Sequence, residues 1–257
     1  MVNSPRLLLE ACVDSVESAL AAERGGAHRL ELCASLADGG TTPSAGMIAA
    51  VTSSVRIPVF VIVRPRGGGF VYSAAELDVM RRDVELALDF GAHGIVIGAL
   101  GGDRRVAQAE TRALVAAARG APVTFHRAFD LVPDQCAALD ELADSGVQRI
   151  LTSGGAATAR EGAEQIARLV AHAGTRVVVM AGGGIREDNV ADVVRIGRVR
   201  EIHVRGTRLR GAGDARYPIA LRKPLPADEG AWEETDAQRV ATMLRLGEAA
   251  IAARALR

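Results

Sequence analysis

The stretch "GAHRLELCA", residues 26–34, decides how this chain is interpreted. A glycine of the kind that ends helices is followed by a small residue and then by a short apolar run. The same order returns in "GAHGI" at 91–95 and in "GVQRI" at 146–150. Each copy leads from a helical pattern into a strand, and a repeat of one strand plus one helix predicts a parallel sheet.

Short apolar runs recur along the whole chain, with helical patterns between them. They lie at 7–13, 29–34, 59–65, 94–100, 123–129, 149–153, 176–181 and 201–206. Eight strand–helix units in roughly 250 residues favour an α/β TIM (β/α)8 barrel over an open doubly wound sheet. The stretch 207–235 lacks periodicity and contains three prolines, so we expect an irregular excursion there. A last amphipathic helix should follow at about 236–254, within a single domain spanning 1–257.

Composition argues against several kinds of partner. Basic and acidic residues number 31 each, so we expect neither nucleic acid nor an anionic membrane surface as a partner. The N-terminal segment has too short an apolar run for a signal peptide, and no stretch is long enough to span a bilayer. Three cysteines without an export signal argue against a disulfide framework and predict a reducing, cytoplasmic location.

An acid and a thiol two residues apart occur twice, as Glu10 and Cys12 and again as Glu31 and Cys33. Residues i and i+2 of a strand point to the same face. With the leucines of these strands packed outward against helices, both pairs should point into the barrel. Because the first two strands are neighbours about 4.8 Å apart, we expect one cluster of two carboxylates and two thiols at the barrel mouth. Cys136 lies in a helical pattern, where a small buried side chain is its expected role.

Polar residues end several other strands, and in a barrel the C-terminal strand ends form the active face. The candidates for acid–base catalysis are Glu10, Glu31, His126 and Asp130. The candidates for substrate binding are Arg64, Arg66, Ser153, Gly182, Gly183, His203 and Arg205. Glycine turns after the last two strands often bind phosphate through backbone N–H groups. We also expect Arg64 to lie beside Glu10 and Glu31 and to compensate their buried charge.

Each of these groups also has a purely structural interpretation. Buried arginine–glutamate pairs can serve only to fix the packing, and small thiols can simply fill space. A buried histidine such as His126 often serves only the core. Convergence of polar side chains from several strands at one end of the barrel is what indicates a site.

Five blocks of sequence carry a resemblance to a known family. They are "EACVDSVESALAAERGGAHRLELCASLADGGTTPS", "RPRGGGFVYS", "TFHRAFD", "LTSGG" and "MAGGGI", running from about residue 7 to 206. In this order they resemble the CutC family of copper-homeostasis proteins. The resemblance implies a cytosolic TIM barrel that binds Cu(I) and forms a homo-oligomer, such as a dimer or tetramer. The family's proposed copper thiols match Cys12 and Cys33. The chain departs from the family at Val204 and Arg205, where small or hydroxyl residues usually follow the histidine.

Two classes of function remain open at this point. Cu(I) is a soft ion that prefers thiolates, so Cys12 and Cys33 on neighbouring strands could bind one ion. A structural zinc site would need four ligands, typically in C-x2-C pairs, which the sequence lacks. The alternative is a lyase or isomerase acting on a small phosphorylated or carboxylated substrate. Two adjacent carboxylates repel each other, which raises one pKa and creates an acid–base pair. A purely structural barrel would leave the inward polar residues unexplained.

Overall fold

The computed structural model describes residues 6–211 and 230–255, and eight parallel strands form a closed barrel in sequence order. The strands are β1 Leu8–Val13, β2 Arg29–Leu32, β3 Val59–Ile62, β4 Gly94–Ile97, β5 Val123–Phe125, β6 Arg149–Thr152, β7 Val178–Gly182 and β8 Glu201–Val204. The helices around them are α1 Val16–Arg24, α2 Ala45–Ser54, α3 Ala74–Asp89, α4 Gln108–Ala117, α5 Gln135–Asp144, α6 Ala163–Ala173, α7 Val190–Gly197 and α8 Ala237–Ala255. Short 3-10 helices follow β2 at Leu36–Asp38 and β5 at Arg127–Leu131. The prediction of a single-domain TIM barrel is confirmed, and each predicted run overlaps a strand.

The repeated turn before β2, β4 and β6 makes the same contacts three times. The first glycine of each turn has a positive φ, which is +86° at Gly26, +91° at Gly91 and +86° at Gly146. That left-handed conformation is one that residues with a Cβ rarely adopt. The third residue of each turn accepts a backbone N–H from the preceding strand. The bonds are Leu9 to His28 Nδ1 at 3.1 Å, Val59 to His93 Nδ1 at 3.2 Å and Val123 to Gln148 Oε1 at 2.6 Å. The two "GAH" histidines therefore brace the N-terminal side of the barrel.

Strand alternation sorts the apolar side chains into two layers. Leu30 and Leu32 belong to the large core between the barrel and the helices. A smaller cluster belongs to the inner face of the barrel. It consists of Cys12, Cys33, Phe60, Ile62 and Val96. In the ladder, Glu10 stands opposite Arg29 on β2 and opposite His203 on β8. The inward parity of β1 and β2 is therefore the one predicted.

The excursion expected at 207–235 is regular at its described ends, which corrects that prediction. Strand β9, Thr207–Arg210, pairs antiparallel with β10, Trp232–Thr235. The backbone N–H of Thr235 donates to Ser18 Oγ at 3.2 Å and ties this hairpin to α1. Residues 212–229 lie outside the described part of the chain. The strands "TRLR" and "WEET" are short and rich in charge, so no apolar periodicity marks them. Within 6–211 and 230–255, no helix has the length and apolar character needed to cross a membrane.

Candidate functional site

Cys12 and Cys33 meet inside the barrel, toward the C-terminal ends of β1 and β2. Their Sγ atoms lie 3.6 Å apart, and Glu31 Oε1 lies 3.3 Å from Cys33 Sγ and 3.9 Å from Cys12 Sγ. Both thiols are buried, with 5% and 1% of their surface exposed. The twofold acid–thiol pattern thus brings both thiols and one carboxyl group into contact, while Glu10 lies one level closer to the N-terminal end.

His203 joins Glu10 to Cys12. Its Nδ1 lies 2.8 Å from Glu10 Oε1. Burial alone would lower the pKa of His203, but the charge of Glu31 and hydrogen bonds with Cys12 and Glu10 raise it well above its ordinary value. Burial would likewise raise the pKa of Glu10, yet His203 and Arg29 hold it at about 2. The cluster therefore places an imidazolium between a carboxylate and a sulfur atom.

The two thiols differ in acidity. The hydrogen bond from Cys33 lowers the pKa of Cys12 to about 5. Burial would raise this pKa, and a hydrogen bond and the charge of His203 lower it further. The same hydrogen bond, together with burial, raises the pKa of Cys33 well above its ordinary value. Burial, opposed by His203 and assisted by Cys12, raises the pKa of Glu31 to about 8. The directions of these shifts favour a thiolate at Cys12 and a proton on Cys33 and on Glu31.

A buried ion-pair network lies below the thiols, toward the N-terminal ends of the strands. Arg29 contacts the Glu10 carboxylate through Nε and donates from Nη2 to Glu201 Oε2 at 2.8 Å. Arg149 Nε donates to the same Glu201 oxygen at 2.6 Å. Both guanidinium groups lie over the Phe60 ring, at 5.0 and 5.6 Å from its centroid. These charges compensate one another away from solvent.

The expectation that Arg64 compensates Glu10 and Glu31 is wrong. Its guanidinium donates at 2.8 Å to the backbone carbonyls of Asp38, Gly40 and Gly68. Arg64 comes after the end of β3, whereas Arg29 stands directly opposite Glu10 in the β1–β2 ladder. Arg29 is not among the residues predicted above, although it shares the inward parity of Glu31 and that parity could have identified it.

His126 is buried apart from the thiol cluster. Its Nδ1 accepts the backbone N–H of Ala128 at 3.1 Å and so caps the 3-10 helix after β5. The ring packs at 5.0 Å from Phe70, centroid to centroid. Burial and the charge of Arg64 lower its pKa to about 3, so the ring is neutral at physiological pH. No hydrogen bond in the described part of the chain joins it to Glu31.

Two arginines predicted to bind substrate point toward the outer rim. Arg66 Nε donates to Glu76 Oε1 at 2.5 Å, at the start of α3. Arg205 Nη2 donates to Glu233 Oε2 at 2.6 Å, on β10. Each arginine side chain is 43% exposed. The arginines thus diverge around the mouth instead of converging on one anion.

Asp130 and Ser153 brace the loops after β5 and β6. Asp130 accepts hydrogen bonds at 2.5 to 3.2 Å from Thr152 Oγ1, Ser153 N and Gly155 N. Arg127 donates to Asp130 Oδ2 at 2.8 Å and to Ser153 Oγ at 2.9 Å. Arg127, which follows His126 directly in "TFHRAFD", is not among the residues predicted above. With so many donors, Asp130 is positioned to hold loops together.

Gly182 and Gly183 make room for side chains. A Cβ on Gly182 would lie 2.5 Å from Leu151 Cδ1 and 3.1 Å from His203 Cβ. A Cβ on Gly183 would lie 3.0 Å from the guanidinium carbon of Arg127. The absence of a side chain at these positions is therefore explained by packing inside and above β7.

The thiol cluster contains two overlapping sets of metal-ligating groups. Cys12, Cys33 and Glu31 form one set, and Glu10, Glu31 and His203 form the other, each with ligand atoms within 4.8 Å of one another. Glu31 Oε2 is buried and has no hydrogen-bond partner within the described residues. The first set, with two sulfurs, fits a soft ion such as Cu(I). The second set is less suited to a metal because His203 is protonated and bound to Glu10.

Comparison with known proteins gives consistent matches. A family model described as "CutC family" matches residues 7–207. The human copper homeostasis protein cutC homolog is 47% identical over 92% of this chain and 87% of its own length. A CutC family protein of Xylella fastidiosa is 45% identical over 93% of this chain and 88% of its own length. A crystal structure described as a copper homeostasis protein CutC from Streptococcus agalactiae superposes with a TM-score of 0.74 at 33% identity. It covers 77% of this chain and 98% of that one.

Proposed function

This chain belongs to the CutC family, and we propose that it is a cytoplasmic Cu(I)-binding protein in which Cys12 and Cys33 are the ligands. The observation that carries this proposal is the buried thiol pair on β1 and β2, 3.6 Å apart. Carboxyl groups and arginines are poor ligands for a soft monovalent ion, so the sulfurs would supply the affinity.

The distance between the sulfurs suits one shared ion. A thiolate lies about 2.3 Å from a bound zinc ion, and two bonds of about that length span at most about 4.6 Å. Sulfurs 3.6 Å apart can therefore bind the same ion in a bent arrangement. Glu31 Oε1 faces both sulfurs and completes the wall of the site.

The register of the strands favours an ion over a disulfide. Cys12 stands opposite Glu31, so Cys33 lies two residues further along the neighbouring strand. Strand spacing and rise place the two Cα atoms about 8 Å apart. A disulfide spans at most about 6.8 Å between Cα atoms, so the thiols would need backbone movement to oxidise to each other. They approach closely only through their side chains, which suits reversible binding of a metal.

The lyase or isomerase alternative finds less support. Glu10, a candidate base, is held by Arg29 and His203 and keeps its charge far below neutral pH. Asp130 is occupied by donors from the neighbouring loop. Neither of these two carboxylates is therefore placed to exchange protons with a substrate, which leaves Glu31, with its pKa raised to about 8 and no partner for Oε2 within the described residues, as the remaining candidate base.

Two further parts of the proposal concern the setting of the protein. Its three cysteines are free, which agrees with a reducing compartment. In line with the family resemblance we propose a homo-oligomer, a dimer or a tetramer, and light scattering on the purified protein measures this directly.

Titration under anaerobic, reducing conditions against a Cu(I) chelator of known affinity tests the copper site. We expect about one Cu(I) per chain, because two thiolates satisfy one such ion. Cys12→Ser and Cys33→Ser should each lose most of the affinity, and the double variant little more, as for residues that act as a unit. Cys136→Ser on α5 is the matched control and should bind normally. A folded double variant that binds Cu(I) as tightly as the parent would refute the proposal.

A further inference from the structure

Three strands carry a second group of polar side chains on the inner wall of the barrel. The ladder aligns Ile62 on β3, Val96 on β4 and Thr124 on β5. Two residues further along each chain segment, the next row on the same face consists of Arg64, Gly98 and His126. The hydrogen bonds Val63 N to Val96 O and His126 N to Ile97 O, both 2.8 Å, continue the ladder toward this row. Arg64 and His126 are therefore separated across the wall only by a glycine.

Gly98 lets the His126 ring lie over β4. A Cβ at this position would lie 2.2 Å from Cε1 of the ring and 2.9 Å from Nε2, so any other residue would displace it. The ring consequently leans across β4 in the direction of β3 and Arg64. Both side chains also contact Phe70, with the Arg64 guanidinium carbon and the His126 centroid each 5.0 Å from its centroid.

Arg64 and His126 each have a buried nitrogen without an acceptor. Because His126 Nδ1 accepts the N–H of Ala128, the proton of the neutral ring is on Nε2. Neither this Nε2 nor the Nε of Arg64 has a hydrogen-bond partner within the described residues. Each side chain is only 5% exposed. Buried donors are almost always paired, so two neighbouring unpaired ones indicate an acceptor from outside the chain.

Arg64 also lacks a compensating negative charge. Its Nη atoms donate to three backbone carbonyls, and no carboxylate of residues 6–211 or 230–255 lies within ion-pair distance of it. A buried guanidinium is stabilised most effectively by a charged acceptor that meets its planar edge. The hydroxyl of Tyr72 also interacts with Arg64, but it is neutral, and the Nε–H has no hydrogen-bond partner within the described residues.

We infer that the wall formed by β3, β4 and β5 is a binding site for the carboxylate of a small molecule, held between Arg64 and His126. One carboxylate oxygen accepts the Nε–H of Arg64 and the other accepts the Nε2–H of His126. A monoanion matches the single positive charge of the site, whereas a phosphate dianion would exceed it. The Phe70 ring provides an apolar surface for the rest of the molecule. The site uses neither thiol and does not depend on the copper proposal.

Acetate and formate are suitable probes, with inorganic phosphate at equal ionic strength as the comparison. In copper-free full-length protein labelled with 15N-histidine, either carboxylate should shift the His126 Nε2–H resonance saturably and raise the melting temperature. Phosphate should do neither. An unchanged His126 resonance with all three probes would mean that water satisfies the donors, and stronger binding of phosphate would mean the wrong ligand class. Either result would overturn the inference.

Matched variants test the geometry. His126→Asn keeps an oxygen near the position of Nδ1, which can cap Ala128, but removes the Nε2 donor. Gly98→Ala displaces the ring. Both should weaken acetate binding about tenfold or more, the value of one hydrogen bond to a charged group. Gly102→Ala in the same loop is the control, because a Cβ there meets nothing within 4 Å.

Further readouts separate this site from the copper site. If circular dichroism shows that His126→Asn is unfolded, the pair Gly98→Ala and Gly102→Ala decides the question. Equal losses in these two glycine variants would overturn the inference. The double variant of Cys12 and Cys33 to serine should lose copper and keep acetate. Loss of acetate binding in that folded variant would contradict a site independent of the thiols.

Discussion

Replacement of Arg29 by methionine tests the electrostatic organisation of the barrel interior. Arg29 contacts Glu10 and donates to Glu201, and all three side chains are largely shielded from water. Glu10 keeps His203 and Glu201 keeps Arg149, but His203 is also the partner of the Cys12 thiolate, so the variant leaves three negative groups against two positive ones. Removing one partner of a buried ion pair costs about 3–5 kcal/mol. For a chain of this size that corresponds to a fall of roughly 6–20 °C in melting temperature.

The loss should depend on pH in a defined direction. In the parent the pKa of Glu10 is lowered from 4.5 to about 2, so its contribution is present above 4.5 and is lost as pH falls toward 2. In the variant, burial is no longer opposed by Arg29, so the pKa of Glu10 rises and protonation at mildly acidic pH relieves the buried charge. The difference in free energy of unfolding should therefore be largest near neutral pH and smallest near pH 3.

Urea unfolding at pH 3, 5 and 7 measures this difference, with Arg119→Met as the control. Arg119 pairs with Asp89 at the surface and both side chains are more than half exposed, so its loss should cost less than about 1 kcal/mol at all three pH values. A loss below about 1 kcal/mol for Arg29→Met, as for an exposed ion pair, would refute the reasoning. A loss that is equal at all three pH values would refute it as well.

Three further outcomes follow from the thiol cluster. Glu31→Gln should gain stability relative to the parent as pH rises from 4.5 through about 8, because in that range the Glu31 carboxyl ionises in the unfolded chain but keeps its proton in the fold. A difference in urea unfolding that does not change with pH would contradict this. Mild air oxidation of the folded, copper-free protein should not join Cys12 to Cys33, because their Cα atoms are too far apart for a disulfide. Mass spectrometry after alkylation checks this, and a Cys12–Cys33 disulfide would show that the two Cα atoms lie closer than inferred. Cu(I) binding at neutral pH should release about one proton per ion, measured with a pH dye in weak buffer, because Cys12 is already a thiolate; release of two would show that it is not.

The barrel and its thiol pair could be predicted because both depend on short-range rules. The repeated glycine turns mark where strands begin, and alternation fixes which side chains point inward. Cys12 and Cys33 needed nothing more than parity and the adjacency of the first two strands. The same rule applied to Arg29 would have placed its guanidinium beside Glu10, since position 29 precedes Glu31 by two residues.

Parity could not predict what a long side chain does beyond its own strand. Arg64 has the expected strand position, but its guanidinium reaches carbonyl groups of loops whose path the sequence does not reveal. Arg66 and Arg205 turn outward because Glu76 and Glu233 stand at the rim, one of them on an unpredicted hairpin. Glu31 was correctly placed, yet its raised pKa depends on complete burial, which only the packed barrel shows.

The charges inside the barrel explain why a thiolate can be buried there at all. From the N-terminal end toward the mouth, neighbouring groups alternate in sign. They are Arg149, Glu201, Arg29, Glu10, His203 and Cys12. This series is neutral as a whole, so the thiolate does not leave an excess charge in a medium of low dielectric constant. If Cu(I) binds as proposed, Cys33 would lose one proton and the net charge would not change. A divalent ion would leave one excess positive charge unless Glu31 also gave up a proton that burial holds on it. The arrangement therefore favours a monovalent metal both by the softness of its donors and by its charge.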